Sequence, residues 1–141
     1  MKIIVPVDGS AYSLKAVETA CDLAKSQPFS TLILMSVGIE LPELEEGRYI
    51  ADKMKAQAEA ALAKAREVAQ GIGLSIKIET LLATGASPAD EIVRVAKDEK
   101  ADLIVIGSRG LAGKTTSFLG STASKVVTYS PCSVLVVKSQ D

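Results

Sequence analysis

ADLIVIG (residues 101–107), SRGLAGKTTSFLGSTASKVVTYSPC (108–132) and SVLVV (133–137) form one continuous stretch that decides the fold. The apolar run 103–106 is short and β-branched and ends in a glycine, which predicts a buried strand. A glycine-containing loop follows, then a helical pattern with Ala123, Val126 and Val127 on one face, then an apolar strand at 134–137. This is the layout of a phosphate-binding crossover, because glycines let the backbone approach an anion and a helix N-terminus offers free N–H groups.

The bulk composition narrows the class of protein. The chain has 141 residues, 48% of them hydrophobic, which predicts one folded domain over residues 1–141. A net charge of -1 and an aromatic content of 4% give no basic surface and few stacking platforms, so we expect no nucleic-acid partner. No signal peptide precedes the first strand and no apolar run approaches roughly 20 residues, so we expect no membrane partner and a cytoplasmic location.

Histidine is absent from the sequence. This excludes a Ser-His-Asp triad, a Cys-His pair and a His-ligated zinc site. The two cysteines, Cys21 and Cys132, lie in apolar periodic segments. We expect two buried free thiols rather than a disulfide, which suits a reducing cytoplasm.

Strand and helix patterns alternate along the rest of the chain. Strands are predicted at 2–7, 31–37 and 74–82, and helices at 13–26, at 49–70 and from Pro88, with Ser87 as its N-cap and Asp90 in the reciprocal capping position. The apolar–polar alternation of 74–82 predicts a strand near a sheet edge. The segment 38–48 is predicted as an acidic loop, either a solvated surface loop or a flap over a ligand.

The element order βαβαβαβαβ predicts an α/β fold, a doubly wound five-stranded parallel sheet with helices on both faces. Ligands of such sheets bind outside the carboxyl ends of the strands, at the point where the winding direction reverses. If the strand order is 3-2-1-4-5, that point lies between the first and fourth strands. Asp8 then lies beside Gly107.

The glycine loop supplies the main candidate site. Gly107 and Gly110 are followed, after nine residues, by Gly120 and Ser121. We expect the first two glycines to let a ribose and phosphates lie against backbone, and Gly120, Ser121 and Thr122 to supply N–H and hydroxyl donors. The alternative is that the glycines serve turns only.

A Walker A loop is the rival interpretation, because Gly113-Lys114-Thr115 supplies its last three residues. The position that should hold its first glycine is Ser108, so this interpretation is disfavoured. Arg109 and Lys114 remain candidates either for charges that reach phosphates or for solvated loop cations.

Asp8 ends the first predicted strand. It is either an Asx turn or helix cap before Ser13, or a carboxylate that accepts hydrogen bonds from ribose hydroxyls or an adenine amino group. The second predicted strand ends at Val37, where the backbone is a candidate for pairing with an adenine edge.

Five segments resemble the universal stress protein family of the single-domain, UspA-like type: MKIIVPVDGS, LATGASPADEIV, ADLIVIGSRG, LGSTASKVV and PCSVLVVK. The pattern G-2x-G-9x-G-S/T is that of the ATP-binding branch. Many members have a histidine where this chain has Ser36. The resemblance implies an adenine nucleotide alpha hydrolase-like fold, ATP as cofactor and a nucleotide site formed by Pro6, Val7, Asp8, Val37, Gly107, Ser108, Arg109, Gly110, Gly120, Ser121 and Thr122.

The resulting hypothesis is an ATP-binding regulatory module of the stress response, with at most slow hydrolysis and no catalytic or metal-ligating residues assigned. A slow Mg²⁺-dependent ATPase and a dimeric scaffold that binds no nucleotide remain as alternatives. The apolar strand within 133–138 is expected at a sheet edge, where pairing with a second copy would protect it. The resemblance also implies such homodimers.

Overall fold

The computed structural model describes residues 1–39, 45–73, 75–110 and 119–138. Within these ranges strands and helices alternate along the chain. They are β1 (Lys2–Pro6), α1 (Ala11–Lys25), β2 (Thr31–Ile39), α2 (Glu45–Gly71), β3 (Lys77–Gly85), α3 (Pro88–Asp98), β4 (Leu103–Gly107), α4 (Ser121–Tyr129) and β5 (Ser133–Val137).

The five strands form one parallel sheet in the order β3-β2-β1-β4-β5, which confirms the predicted topology. β1 lies between β2 and β4, so the winding direction reverses at β1. The ladder between β1 and β4 has two register pairs, Ile3↔Leu103 and Ile4↔Ile104. It does not reach the carboxyl ends of these strands, and this leaves room for a cleft there.

Helices cover both faces of the sheet, as the continuous apolar runs of the strands predict. On one face Ile3 packs in a cluster with residues of α1 and α2, among them the fully buried Val17. On the other face Ile4 packs in a second cluster with Ile92 of α3 and Val126 of α4. Consecutive residues of β1 therefore point into opposite cores, as strand geometry requires.

Serine caps fix where two helices begin. Ser87 accepts a hydrogen bond from Asp90 N at 3.3 Å, and Pro88 opens α3, as predicted. The Asp90 carboxylate lies 3.0 Å from Lys125 Nζ and so links α3 to α4. Ser10 accepts from Ser13 N at 3.1 Å, and α1 consequently begins earlier than the predicted residue 13.

Several predicted boundaries are wrong, mostly around β2 and β3. β2 continues to Ile39, and its ladder with β3 ends at Ile39↔Gly85, so β3 extends past the predicted residue 82 and begins at Lys77. The predicted loop 38–48 is wrong at both ends, because 38–39 belong to β2 and 45–48 to α2. Residues 40–44, with the flap interpretation attached to them, and Leu74 lie outside the described residues.

The two cysteines are both free, as predicted, but they differ in burial. Cys21 on α1 is fully buried, whereas Cys132, just before β5, is only partly buried, so the expected burial of both thiols is wrong for Cys132. Of the helices in the described ranges, none has a stretch long and apolar enough to cross a membrane.

Candidate functional site

A cleft of about 710 Å³ opens at the carboxyl ends of the strands. The ends of β1, β2 and β4 form its floor, and parts of α2, α3 and the start of α4 form its walls. Its position is the crevice at which the winding of the sheet reverses, where open α/β sheets bind their ligands.

The structure brings ten of the eleven predicted site residues together in the lining of this cleft: Pro6, Val7, Asp8, Val37, Gly107, Arg109, Gly110, Gly120, Ser121 and Thr122. Ser108 is the exception, since it is buried and does not line the cleft. Its N–H donates to Val137 O at 2.8 Å, and its carbonyl accepts from Gly120 N at 2.8 Å. Ser108 therefore joins the glycine loop to β5.

Asp8 performs the structural role that its position predicted. Its Oδ1 accepts a hydrogen bond from Ser10 N at 2.9 Å, which makes an Asx turn, and its own N–H donates to Ser13 Oγ at 3.4 Å. The carboxylate is only partly buried and lines the cleft. The turn holds Asp8 in one place without enclosing it.

Gly110 lies close to the side chain of Asp8. A Cβ placed on Gly110 would lie 2.5 Å from Asp8 Oδ2, so the carboxylate would have to move to admit a side chain there. The glycine therefore makes room for the carboxylate of Asp8.

Gly107 and Gly120 have packing reasons of their own. A Cβ on Gly107 would lie 2.8 Å from Tyr12 O, so the glycine allows α1 to pack against the end of β4. A Cβ on Gly120 would lie 3.3 Å from both Arg109 Cα and Ser108 O. These two glycines therefore also serve packing within the protein, which neither interpretation of the glycine loop included.

The N-terminus of α4 opens into the cleft. Its N-cap, Gly120, has no side chain to bond the first N–H groups, unlike Ser10 of α1 and Ser87 of α3. The first residues of the helix, Ser121 and Thr122, line the cleft. Free N–H groups, hydroxyls and the positive end of the helix dipole together suit an anion.

The apolar part of the cleft lining was missed by sequence reasoning. It is formed by Met35, Ile39, Met54, Ile92 and Leu119. Met54 and Ile92 carry the pattern of inward-facing helix residues, which does not separate a core position from a cleft wall.

Ser36, which also lines the cleft, joins the ends of β1 and β2. Its buried hydroxyl donates to Val7 O at 2.7 Å, while Val7 N donates to Met35 O at 2.8 Å. Both backbone groups of Val7 are therefore held by β2, one residue past the last ladder pair, Pro6↔Met35.

Charge is sparse in the cleft. Of the described residues that line it, Asp8 and Arg109 are the charged ones. The described part of the chain holds no group of three or more His, Cys, Asp or Glu residues that could bind a metal ion. Lys114, with the rest of the Walker-like segment 111–118, lies outside the described residues.

These features define a doubly wound parallel α/β domain with an anion-suited helix N-terminus at its reversal point. The universal stress protein family model matches residues 1–138, and the chain belongs to this family.

Relatives and solved structures agree with this assignment. The chain is 37% identical to the universal stress protein MJ0531 of Methanocaldococcus jannaschii, covering 97% of this chain and 81% of that protein. It superposes on the universal stress protein UspA of Lactobacillus plantarum with a TM-score of 0.84 at 27% identity, covering 97% of each chain. A universal stress protein solved in complex with cAMP gives a TM-score of 0.75 at 31% identity, covering 97% of this chain and 96% of that one.

Proposed function

We propose that this protein binds ATP in the cleft and acts as a nucleotide-dependent regulatory module of the stress response, with at most slow hydrolysis. The observation that carries the proposal is the uncapped N-terminus of α4, which opens into the cleft through Ser121 and Thr122. A related universal stress protein at 31% identity holds cAMP, which supports an adenine nucleotide as the ligand class.

The phosphates are proposed to lie at the start of α4. Here the N–H groups that follow Gly120 lack a side-chain acceptor from the N-cap, and two hydroxyls stand beside them. Hydrogen bonds from such donors to charged oxygens are stronger than those between neutral groups. Arg109, which also lines the cleft, adds a positive charge.

The ribose is proposed to lie over Gly107 and Gly110, beside Asp8. The Oδ1 atom of Asp8 accepts from Ser10 N, so the carboxylate is oriented before any ligand arrives. A fixed acceptor costs less ordering entropy on binding than a mobile one. A carboxylate accepts from ribose hydroxyls without donating, which matches the hydroxyl donors of the sugar.

The adenine is proposed to pair with the backbone of Val37. Consecutive residues of a parallel strand direct their N–H and C=O groups to opposite neighbours. Since Met35 O bonds Val7 N on the β1 side, Val37 faces that side too, past the last register pair of β1. One N–H donor and one C=O acceptor side by side match the N1 and amino groups of adenine and mismatch guanine.

A binding role is favoured over an enzymatic one. Phosphoryl transfer to water needs a positioned nucleophile and charge stabilisation, usually with a metal ion. Asp8 is the single carboxylate among the described residues of the lining, and its Oδ1 is engaged by Ser10 N. Any Mg²⁺ is therefore proposed to arrive with the phosphates, held by their oxygens rather than by a protein cluster.

The proposal includes a homodimer formed through 133–138 and a cytoplasmic location. Among the strands that the structure describes, β5 stands at the edge of the sheet next to β4, and its Leu135 is 37% exposed. Open apolar edges are commonly protected by pairing. The free thiols of Cys21 and Cys132 suit a reducing compartment.

Two measurements test the proposal. The purified protein is denatured and the released nucleotides are identified by mass spectrometry. Calorimetry then compares ATP, ADP, AMP, cAMP and GTP on nucleotide-free protein. The proposal expects ATP to bind and GTP to bind at least roughly tenfold more weakly. No binding of any adenine nucleotide would leave the dimeric scaffold as the better description, and a preference for cAMP over ATP would correct the ligand.

A further inference from the structure

Phe29 is the most exposed large apolar residue in the described part of the chain, with 97% of its surface accessible. It lies in the turn between α1 and β2 and has a φ of 65°, in the left-handed region that favours glycine and asparagine. The whole sequence contains five aromatic residues, two Phe and three Tyr. One of these few rings is thus presented to solvent from a backbone conformation that disfavours it.

The turn that presents Phe29 is well bonded. Ser30 Oγ donates to Gln27 O at 2.6 Å, Gln27 N donates to Ala24 O at 3.2 Å, and Thr31 N donates to Met1 O at 2.9 Å. None of these bonds involves the ring. The fold therefore needs the turn but not the aromatic side chain, and a glycine would relieve the strain.

A groove of about 740 Å³ lies beside the ring, between residues of the turn at 24–31 and Gly73, Ser75, Ile76 and Lys77 near the start of β3. Ala24, Pro28 and Ile76 give it apolar walls. Lys25 and Lys77 are the charged residues among the described residues that line it. The cations keep surface partners, with Lys25 3.9 Å from Asp22 and Lys77 2.9 Å from Glu79, but neither carboxylate lines the groove.

This surface is at the opposite end of the sheet from the cleft. The pairs Lys2↔Thr31 and Thr31↔Lys77 place it at the amino ends of β1, β2 and β3. The cleft lies at the carboxyl ends. A protein bound here would leave the cleft and the edge strand β5 accessible.

We propose that Phe29 and the adjoining groove form a docking surface for an acidic, extended segment of a partner protein. The ring and the apolar walls bind an apolar or aromatic side chain, and Lys25 and Lys77 bind carboxylates on either side of it. Exposed aromatic anchors next to a pocket carry most of the binding energy of many interfaces. Both charged residues of the described groove lining are lysines, and the carboxylates that pair with them stand outside the groove. The groove itself therefore favours a partner segment of negative charge.

The probe is a set of short synthetic peptides, each with one Phe, Tyr or Leu flanked by Asp and Glu. A second set has Lys and Arg in place of the acids. Each peptide is titrated into the ¹⁵N-labelled full-length protein, and amide shifts are followed by NMR. The acidic set is expected to shift the amides of 24–27, 29–31, Gly73 and 75–77, while the basic set leaves them unchanged. An acidic set that leaves these amides unmoved overturns the proposal.

Variants separate the ring from the turn. Asparagine tolerates the left-handed conformation, so Phe29→Asn should keep the melting temperature of the wild type. Its affinity for the acidic peptides should fall roughly tenfold or more. Val127→Ala, at another exposed apolar position, on α4, should change neither quantity. A fall in melting temperature for Phe29→Asn with peptide binding retained would show that the ring is structural and overturn the proposal.

Charge and self-association complete the test. Lys25→Glu combined with Lys77→Glu should transfer binding from the acidic to the basic peptides. Sedimentation of Phe29→Asn should match that of the wild type. A change of oligomeric state in this variant would identify a second copy of the chain as the occupant, and the partner-protein proposal would be wrong.

Discussion

The Oδ2 atom of Asp8 occupies the space in which a side chain at position 110 would stand, because a Cβ on Gly110 would lie 2.5 Å from it. The other oxygen of the same carboxylate is fixed by Ser10 N at 2.9 Å. A side chain at position 110 would therefore have to displace the Asp8 carboxylate against this hydrogen bond. The loop after β4 and the turn after β1 therefore match in shape without a ligand, since Gly110 leaves the space that the Asp8 carboxylate fills.

The first prediction uses this match. Gly110→Ala should weaken ATP binding by roughly tenfold or more, because the new methyl group displaces the Asp8 carboxylate. Gly71→Ala is the matched control, since a Cβ there meets nothing within 4 Å, and it should bind like the wild type. Calorimetry on folded variants measures both.

A double-mutant cycle identifies the cause of that loss. In an Asp8→Ala background, the further change Gly110→Ala should cost little, because the clashing carboxylate is gone. If the two losses simply add, the methyl group acts on the ligand or on the loop rather than through Asp8.

The second prediction ranks the phosphate end of the cleft. Ser121→Ala removes one hydroxyl and leaves the backbone donors, so ATP binding should weaken by about 1.5–3 kcal/mol, roughly tenfold or more. Gly120→Val should cost more, because its side chain meets the backbone of Arg109 and Ser108. Ser124→Ala, at an exposed position outside the cleft lining, is the calorimetric control. The reverse ranking would place the phosphates elsewhere.

The third prediction concerns β5. Val137 O accepts from Ser108 N, so by alternation Val136 directs its own N–H away from β4, to the open edge. Val136→Pro should weaken a dimer formed through this edge while the β4–β5 ladder persists. Val136→Ala shortens the same side chain, which packs on the core, but keeps the N–H, so it should remain dimeric. Sedimentation decides, and a wild-type monomer at micromolar concentration would refute the dimer.

The fourth prediction is a pH dependence. Burial, reinforced by the nearby Asp22 carboxylate, raises the pKa of the Cys21 thiol from 9.0 to about 11. The folded state thus retains this proton more tightly, and the associated stability is complete below about pH 9 and lost as the pH rises through about 11. Relative to Cys21→Ala, the wild type should lose on the order of 2 kcal/mol of unfolding free energy between about pH 8 and about pH 11. Denaturant unfolding at each pH measures this, and a constant difference would contradict it.

The fifth prediction is slow hydrolysis. With Mg²⁺ and ATP the purified protein should turn over far more slowly than 1 s⁻¹, on the order of the lower limit for ordinary enzymes. Asp8→Asn controls for contaminating ATPases, since a contaminant would survive the substitution unchanged. A turnover near 1 s⁻¹ that Asp8→Asn abolishes would make the protein an enzyme.

The sequence was sufficient for the doubly wound parallel sheet, because apolar runs that alternate with helices predict one, whereas the strand order 3-2-1-4-5 entered only as a condition that the structure then met. It misplaced β3, whose end at Gly85 is determined by pairing with Ile39 and not by its own composition. It also placed the start of α2 too late, at residue 49 rather than Glu45. The end of a strand depends on how far the neighbouring strand extends, and the local sequence pattern gives no information about that neighbour.

Site residues were predictable where backbone or charge chemistry leaves a motif, as at Asp8 and Gly120. Met54 and Ile92 were not, because an apolar side chain at a cleft wall has the same pattern as one in the core. The packing role of Gly107 could not be predicted either. The atom that leaves no room for a Cβ at this position belongs to Tyr12, almost a hundred residues earlier in the chain.

The ladder between β1 and β4 has two register pairs, whereas β1 has five with β2 and β4 has five with β5, so this boundary has the fewest pairs in the described sheet. α1 packs against strands on both sides of this boundary, and Gly107 leaves room there for the backbone of Tyr12. The helix therefore helps to hold the two parts of the sheet together. A nucleotide bound at both Val37 and Ser121 would bridge the same boundary between β1 and β4. The free energy needed to separate the two parts of the sheet would then rise with ligand occupancy.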